Sequence, residues 1–208
     1  MTHDQSSAVG SFPQPRAEVE SLHAYSAPLE GRRQMLRLDF NENTIGPSPQ
    51  VVEALRAIPT DHIAIYPEYD GLQQAVIANL DLPLQPDQVG LFNGVDAAIH
   101  AIFHAYGDRG ETLLTTSPTF GYYTPCAQMQ GMVIQAIPYE GTAFALPLEP
   151  ICNASESTPR RILICNPINP TCPRLAPQHF PQLPPADPAT SATVAEFSVA
   201  SPCYTAMP

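Results

Sequence analysis

From about residue 48 onward, apolar residues recur at helical and strand spacings in turn. Ser48 followed by Pro49 is typical of a helix N-cap and first turn. The spacing predicts helices over 49–57, 97–105 and 121–130, a helix capped by Asp70 that carries Leu72, Ala75, Val76 and Leu80, and strands over 88–92, 112–116, 133–137 and 162–165. Strands that alternate with helices favour an α/β fold with a mainly parallel sheet between helices.

The two ends of the chain lack this periodicity. Residues 1–16 are polar and predict a disordered arm, and residues 17–35 form an N-terminal arm ahead of the α/β domain at 36–172. Residues 173–208 contain eight Pro and no Gly, and we expect a disordered tail there. So abrupt a change of composition resembles a change of reading frame or a decayed C-terminus.

The charge balance narrows the classes of partner. The formal net charge is −11, which disfavours nucleic acid and anionic membranes and leaves small molecules or other proteins. The chain shows neither a signal-peptide pattern nor a stretch of about 18 apolar residues. Its five cysteines form no CxxC pair. We therefore expect a soluble, cytoplasmic protein with unpaired thiols and no membrane association.

The turn Asn93-Gly94-Val95-Asp96-Ala97 stands between a predicted strand and a predicted helix. Free backbone N–H groups and the positive end of the helix dipole can hold a phosphate there, although a plain turn is the alternative. The GxGxxG and Gly-Lys-Ser/Thr motifs are both absent, which argues against a Rossmann dehydrogenase and a P-loop nucleotide hydrolase.

Two further loops follow predicted strands. In the first, Phe120 can stack on a flat ring, the alternative being an ordinary core or rim aromatic. In the second, Asn166 and Asn169 each precede Pro and can aim an amide into the same crevice, the alternative being a plain turn. His100 and His104 have the spacing of a metal-binding pair but lack the neighbouring Glu of zinc proteases, so we interpret both as structural.

The ordered set of motifs resembles the histidinol-phosphate aminotransferases, members of the class I and II, fold-type I pyridoxal-phosphate enzymes. The motifs lie at residues 38–43, 46–49, 66–67, 93–96, 117–120 and 166–171. The resemblance covers residues 17–172, about the N-terminal half of a full-length member. It implies a truncated three-layer large domain.

The resemblance also implies a cofactor site for pyridoxal 5′-phosphate. Backbone N–H groups of Val95, Asp96 and Ala97 correspond to those that hold the cofactor phosphate. Phe120 corresponds to the aromatic that stacks on the pyridine ring, and Asn169 to the amide that hydrogen-bonds the ring hydroxyl.

Three more residues have counterparts in the family. Tyr66 corresponds to a tyrosine that reaches across a homodimer to the partner's cofactor phosphate. Tyr25 resembles the aromatic of the N-terminal arm that touches the amino-acid or phosphorylated substrate, and Asn41 lies near that site.

Departures from the family matter as much as the matches. Cys172 replaces the Gly that ends the Asn-Pro-Thr-Gly turn. All nine basic residues are Arg, so the family's Schiff-base Lys has no counterpart in this chain. The family's pyridinium-binding Asp, phosphate-binding Arg and substrate-carboxylate Arg have no counterpart either. We expect that this chain descends from an enzyme that moves an amino group between glutamate and imidazole-acetol phosphate in histidine biosynthesis. We also expect that the chain is inactive on its own. Alternatives are a non-catalytic module that pairs with an intact aminotransferase subunit, and an aminotransferase of a related amino acid.

Overall fold

The computed structural model describes ten parts of the chain: residues 13–22, 30–37, 40, 42–43, 45–69, 71–80, 83–156, 160–166, 171 and 193–196. The helices are α1 (Ala17–Glu20), α2 (Pro49–Arg56), α3 (Leu72–Leu80), α4 (Val95–Tyr106), α5 (Tyr123–Met129) and α6 (Leu148–Glu156). The strands are β1 (Thr112–Ser117), β2 (Val133–Pro138), β3 (Arg160–Cys165) and β4 (Thr193–Glu196).

The four strands form one parallel sheet in the order β2-β1-β3-β4. Strand β1 pairs with β2 on one side, where Thr112 lies opposite Val133, and with β3 on the other. The chain therefore passes from β1 to one neighbour and then crosses to the opposite neighbour. In open parallel sheets this reversal leaves a crevice at the carboxyl ends of the strands, here beside β1 and β3.

Helices cover the sheet on both faces. Successive residues of β1 point to opposite sides, because side chains alternate along a strand. Leu113 packs with buried residues of α4 and α5, whereas Leu114 packs with Ile151 of α6 and with Ile162 and Ile164 of β3. The result is the three-layer α/β architecture with a parallel sheet that the sequence predicts.

A buried hydrogen bond fixes the end of the central strand. Thr116, which is fully buried, donates its hydroxyl hydrogen to the Tyr139 Oη at 2.7 Å. Burial raises the pKa of Tyr139, and the hydrogen bond from Thr116 opposes that rise. Both polar groups therefore stay neutral and paired inside the core.

Arg16, the last residue of the segment expected to be disordered, and Glu18, in the N-terminal arm, each contact the three-layer part. The Arg16 Nη2 donates to the backbone oxygen of Met129 at 2.7 Å, at the end of α5. Glu18 of α1 forms an ion pair of 2.7 Å with Arg109. These contacts place α1 against the C-terminal end of α5.

Helices α2 and α3 belong to a region with a different character, the peripheral region (residues 45–80). The Ser48 Oγ accepts a hydrogen bond from the Val51 N–H, which confirms the predicted cap. Yet neither α2 nor α3, whose residues are all described, contains a buried side chain. Large apolar side chains, Leu55 and Ile63 among them, are exposed.

Most predicted elements are confirmed, but the strand expected over 88–92 is wrong. Pro86–Gln88 forms a 3₁₀ turn, in which the Gln85 N–H donates to the Gln88 Oε1 at 2.8 Å. The Gln73 side chain, on α3, donates to the backbone oxygen of Val89 at 2.7 Å. This carbonyl is therefore bonded to a side chain of a helix and not to a neighbouring strand. Local capping chemistry outweighs the apolar pattern here.

Three of these elements were not predicted: α1 (Ala17–Glu20), α6 and β4. Helix α6 carries Leu148 and Ile151 at helical spacing, and its Pro150 lies in the first turn, where proline is tolerated. Strand β4, at 193–196, lies within the segment expected to be disordered, so that expectation is wrong for these four residues. The remainder of 173–208, like Asp70, lies outside the described residues.

Candidate functional site

The first turn of α4 lies at the carboxyl edge of the sheet. Only a short link, residues 107–111, joins the end of α4 to the start of β1, so the helix runs back along the strand and its N-terminus lies near the strand's end. Gly94, the N-cap residue, has φ 82° and ψ 166°, a conformation that essentially only glycine adopts. The sequence thus needs glycine at this turn for conformational reasons.

Gly94 has no side chain to cap this helix, and within the described residues no N-cap side-chain hydrogen bond reaches the first turn, which carries the amides of Val95, Asp96 and Ala97. A Cβ placed on Gly94 would meet no atom within 4 Å. The unpaired first-turn N–H groups of a helix, together with its dipole, favour a bound anion. This turn can therefore bind a phosphate without any basic side chain.

Phe120 lies in the loop between β1 and α5, at the same edge of the sheet. Its ring is half-buried and meets Tyr123 edge-to-face, with ring centroids 5.5 Å apart and an interplanar angle of 85°. Tyr123 is buried in the cluster of α4, α5 and β1. One edge of the phenylalanine is thus fixed by the core, and its partial exposure leaves surface for a flat ligand.

A hydrogen bond joins the two segments. The Nε2 of His100, on α4, lies 2.6 Å from the Tyr122 Oη, at the N-cap of α5. The Cys126 Sγ lies 3.9 Å from the same nitrogen. This hydrogen bond joins the second turn of α4 to the N-cap of α5, one helical turn beyond the amide turn and two residues beyond Phe120.

The thiol and the phenol of this cluster are neutral at physiological pH. Burial raises the pKa of Cys126 to about 11, and burial together with Cys126 and Asp96 raises the pKa of Tyr122. A thiol with so high a pKa has little thiolate and is a poor nucleophile. The cluster is therefore suited to holding geometry and not to covalent chemistry.

The predicted site residues fall into three groups. Val95, Asp96, Ala97 and Phe120 lie on the two linked segments. Tyr66 is 96% exposed in the peripheral region and stands apart from them. Tyr25, Asn41 and Asn169 lie outside the described residues.

The sequence interpretation did not identify the link between His100 and Tyr122. His104, the other histidine of α4, is exposed. Asn166, after the end of β3, is buried and has an interaction partner. No periodicity or motif signals the pairing of residues 22 positions apart; only the nearness of Tyr122 to Phe120 along the chain could have drawn attention to it.

The part of the chain that the structure describes contains neither a membrane-spanning helix nor a cluster of metal ligands. None of its helices combines the length and apolar character needed to cross a membrane. Nor do three or more His, Cys, Asp or Glu side chains there form a group able to hold a metal ion.

Comparison with known proteins identifies related sequences and folds. The model of the family "Aminotransferase class I and II" matches residues 33–183. A histidinol-phosphate aminotransferase of Leuconostoc mesenteroides is 29% identical over 74% of this chain and 45% of the relative. Another, from Moorella thermoacetica, is 30% identical over 78% of this chain and 44% of the relative. The chain thus spans less than half the length of these two relatives.

Among solved structures, the histidinol-phosphate aminotransferase of Sinorhizobium meliloti, in complex with pyridoxal-5′-phosphate, superposes with a TM-score of 0.73. Sequence identity is 22%, and the match covers 89% of this chain and 51% of that protein. This likeness establishes the fold, a three-layer α/β domain of the fold-type I aminotransferases. With a family model that matches most of its length, the chain belongs to the class I and II aminotransferases.

Proposed function

We propose that this chain forms part of a pyridoxal 5′-phosphate site of an aminotransferase that moves an amino group between glutamate and imidazole-acetol phosphate in histidine biosynthesis. One observation carries the proposal. The glycine-initiated first turn of α4 lies beside the loop of Phe120, and a hydrogen bond of 2.6 Å between His100 and Tyr122 links them. Family membership and the names of the relatives support the choice of cofactor and reaction.

In this proposal each segment has one task. The amides of Val95, Asp96 and Ala97 bind the cofactor phosphate, and Phe120 packs on the face of its ring. When bound, the cofactor supplies an electron sink for chemistry at the α-carbon of an amino acid. The residues of this chain orient the ring and donate hydrogen bonds to the phosphate.

The site fits such a group at its phosphate and ring ends. The space in front of Gly94 is open. Thr119, beside Phe120, has a buried hydroxyl oxygen without a hydrogen-bond partner among the described residues, and buried hydroxyls normally have one. At the aldehyde end the fit stops, because the 208 residues include no lysine to attach the cofactor covalently.

Further residues belong to the proposal as family counterparts. Tyr66, which is almost fully exposed, is proposed to contact the cofactor phosphate of a second copy in a homodimer. Tyr25 and Asn41 contact substrate, and Asn169 bonds the ring hydroxyl. A cytoplasmic location accords with histidine biosynthesis.

The proposal is tested with the purified chain and added pyridoxal 5′-phosphate. We expect weak, non-covalent binding, no turnover with glutamate, and, after borohydride reduction and peptide mapping, a label on Met1 or nowhere. A label on an internal residue, or turnover by this chain alone, would contradict the assignment of roles.

Two glycine variants test the phosphate turn itself. Gly94→Ala forces a side chain into a left-handed backbone at the α4 N-terminus, whereas Gly110→Ala does so at φ 84° at the opposite edge of the sheet. Both variants lose stability. Only Gly94→Ala is expected to lose cofactor binding; equal loss in both, or in neither, would reject this turn as the phosphate site.

A second candidate function is a non-catalytic module that pairs with an intact aminotransferase subunit. The exposed apolar side chains of the peripheral region favour it, since Val51, Leu55 and Ile63 all face solvent. We expect the chain to elute with a full-length histidinol-phosphate aminotransferase, and Leu55→Glu to prevent this while Glu53→Gln does not. A chain that elutes alone in that mixture would exclude the pairing.

A further inference from the structure

A compact polar cluster lies between α4 and α5, beside the proposed cofactor site. The imidazole of His100 meets the phenol of Tyr122 edge-on, with ring centroids 5.4 Å apart and an interplanar angle of 84°. Their polar atoms are 2.6 Å apart, and the fully buried Cys126 Sγ packs against the imidazole at 3.9 Å. The contact is thus a directed hydrogen bond supported by packing on two sides.

Each residue of this hydrogen bond lies close along the chain to one of the two segments of the proposed cofactor site, the first turn of α4 and the loop of Phe120. His100 follows Asp96 by one helical turn on α4, so both lie on the same side of that helix. Tyr122 follows Phe120 by two residues, and their ring centroids are 6.3 Å apart. Moving the Tyr122 hydroxyl relative to His100 therefore moves Phe120 relative to the amide turn of α4.

We infer that His100 is a positioning residue, which through its hydrogen bond to Tyr122 sets the distance between the first turn of α4 and the ring of Phe120. This inference rests on the proposed function, because it assigns those two segments to the phosphate and the ring of one ligand. The bond matters for a ligand that spans both segments and not for one that occupies the phosphate turn alone.

Pyridoxamine 5′-phosphate and inorganic phosphate are the matched probes. The first carries both phosphate and ring, and lacks the aldehyde that would react with amines. The second occupies only the amide turn. Isothermal titration of the full chain with each compound separates the spacing of the two segments from the integrity of the phosphate turn.

Four variants address the bond. Tyr122→Phe and His100→Leu remove it, and we expect either to weaken pyridoxamine 5′-phosphate binding about three- to tenfold, the range of one hydrogen bond. Inorganic phosphate binding stays unchanged. His100→Gln keeps an amide that can bond the phenol and restores most of the affinity. His104→Gln, an exposed control on the same helix, has no effect.

A second measurement is independent of any ligand. Cys126 is fully buried, and we expect its alkylation rate, followed by peptide mass spectrometry, to rise in Tyr122→Phe and His100→Leu. The rate at Cys165, buried on β3, serves as an internal control. Faster alkylation at both cysteines would mean general loosening, which would contradict a specific link.

The outcomes of these experiments distinguish the positioning role of His100 from the proposed function. If Phe120→Ala weakens pyridoxamine 5′-phosphate binding but Tyr122→Phe and His100→Leu do not, the positioning role is wrong and the proposed function stands. If His100→Leu weakens both probes equally, the role is structural, which also overturns the inference. A parent chain that binds neither probe, or binds pyridoxamine 5′-phosphate equally well after Phe120→Ala, would overturn the proposed function and this inference with it.

Discussion

Two regions of the molecule, both with amphipathic helices, differ in what covers their apolar sides. In the three-layer part, hereafter the sandwich (residues 93–166), α4, α5 and α6 each bury apolar side chains against the sheet, and Leu114 is 0% exposed. In the peripheral region, α2 has a well-formed cap, yet its Leu55 is 62% exposed. Local signals are therefore enough to form a helix here, but they do not supply a surface for it to pack on.

The difference has a physical origin in the parallel sheet. Strands β1 and β3 present apolar side chains on both faces, so helices on either side gain burial. Helix α3 instead touches the rest of the chain through a polar contact, from Gln73 to the Val89 carbonyl. Exposed apolar surface of this kind is typical of a region that meets a partner, the feature on which the proposed homodimer depends.

The largest expected effect comes from a matched leucine pair. Leu114→Ala removes a fully buried side chain from β1 and should lower the free energy of unfolding by about 3 kcal/mol. Leu55→Ala, in α2, should change it by no more than about 0.5 kcal/mol, because the side chain is already largely solvated. Urea denaturation followed by circular dichroism measures both.

The dependence of these two effects on protein concentration tests the comparison further. If a second copy covers α2 in solution, the effect of Leu55→Ala should grow with concentration, whereas the effect of Leu114→Ala should not. Equal, concentration-independent losses in both variants would show that the peripheral region belongs to the same core, and the contrast between the regions would fail.

A second, smaller effect concerns alkaline pH and acts within the sandwich alone. The pKa of Cys126 rises from 9.0 to about 11 on folding, because the thiol is buried. A raised folded-state pKa stabilises the protein fully below pH 9, and this contribution is lost as pH rises from about 9 to 11. A shift of about two pKa units corresponds to about 2.8 kcal/mol in total, at about 1.4 kcal/mol for each unit, and roughly 2 kcal/mol of it is lost within this window.

Cysteine variants isolate this contribution. Cys126→Ala should flatten the fall in stability between pH 8.5 and 10, whatever it costs at neutral pH. Cys152→Ala, in α6, should retain the fall because Cys126 is still present. Tyr122 and Tyr139, whose pKa values burial also raises, act in the same direction above pH 10, so the comparison is made below that. An unchanged slope in Cys126→Ala would refute the assignment.

The same contrast between regions explains how far the sequence predicts the fold. Apolar periodicity identified α2, α3, α4, α5 and the first three strands, because each carries its own spacing. It failed at 88–92, where Pro86 begins a 3₁₀ turn and the side chains of Gln88 and Gln73 form hydrogen bonds with the backbone. It also missed β4, whose four residues lie in a tail without a period of useful length and, among the described residues, pair with β3.

The candidate site likewise combines local features that the sequence predicts with a long-range contact that it does not predict. The glycine turn before α4 and the aromatic after β1 are local features, and both were predicted with the correct neighbouring elements, apart from the strand expected before the turn. The hydrogen bond that joins them connects positions 100 and 122 and depends on the packing of two helices. Long-range pairs of this type follow from tertiary structure, so a single sequence contains no pattern for them.

The smallest expected effect is a local one in α2. Ser48→Ala removes the Oγ that accepts from the Val51 N–H at 3.4 Å, a long hydrogen bond at the weak end of capping interactions. We expect about 0.5 kcal/mol less stability in α2 alone, seen as faster amide hydrogen exchange over residues 51–55. Ser155→Ala, which removes a hydroxyl bonded to the Cys152 carbonyl in α6, is the control and should leave that exchange unchanged. The urea midpoint of the sandwich should not move in Ser48→Ala, because α2 buries no side chain; a shift like that of Leu114→Ala would mean that the two regions unfold as one unit.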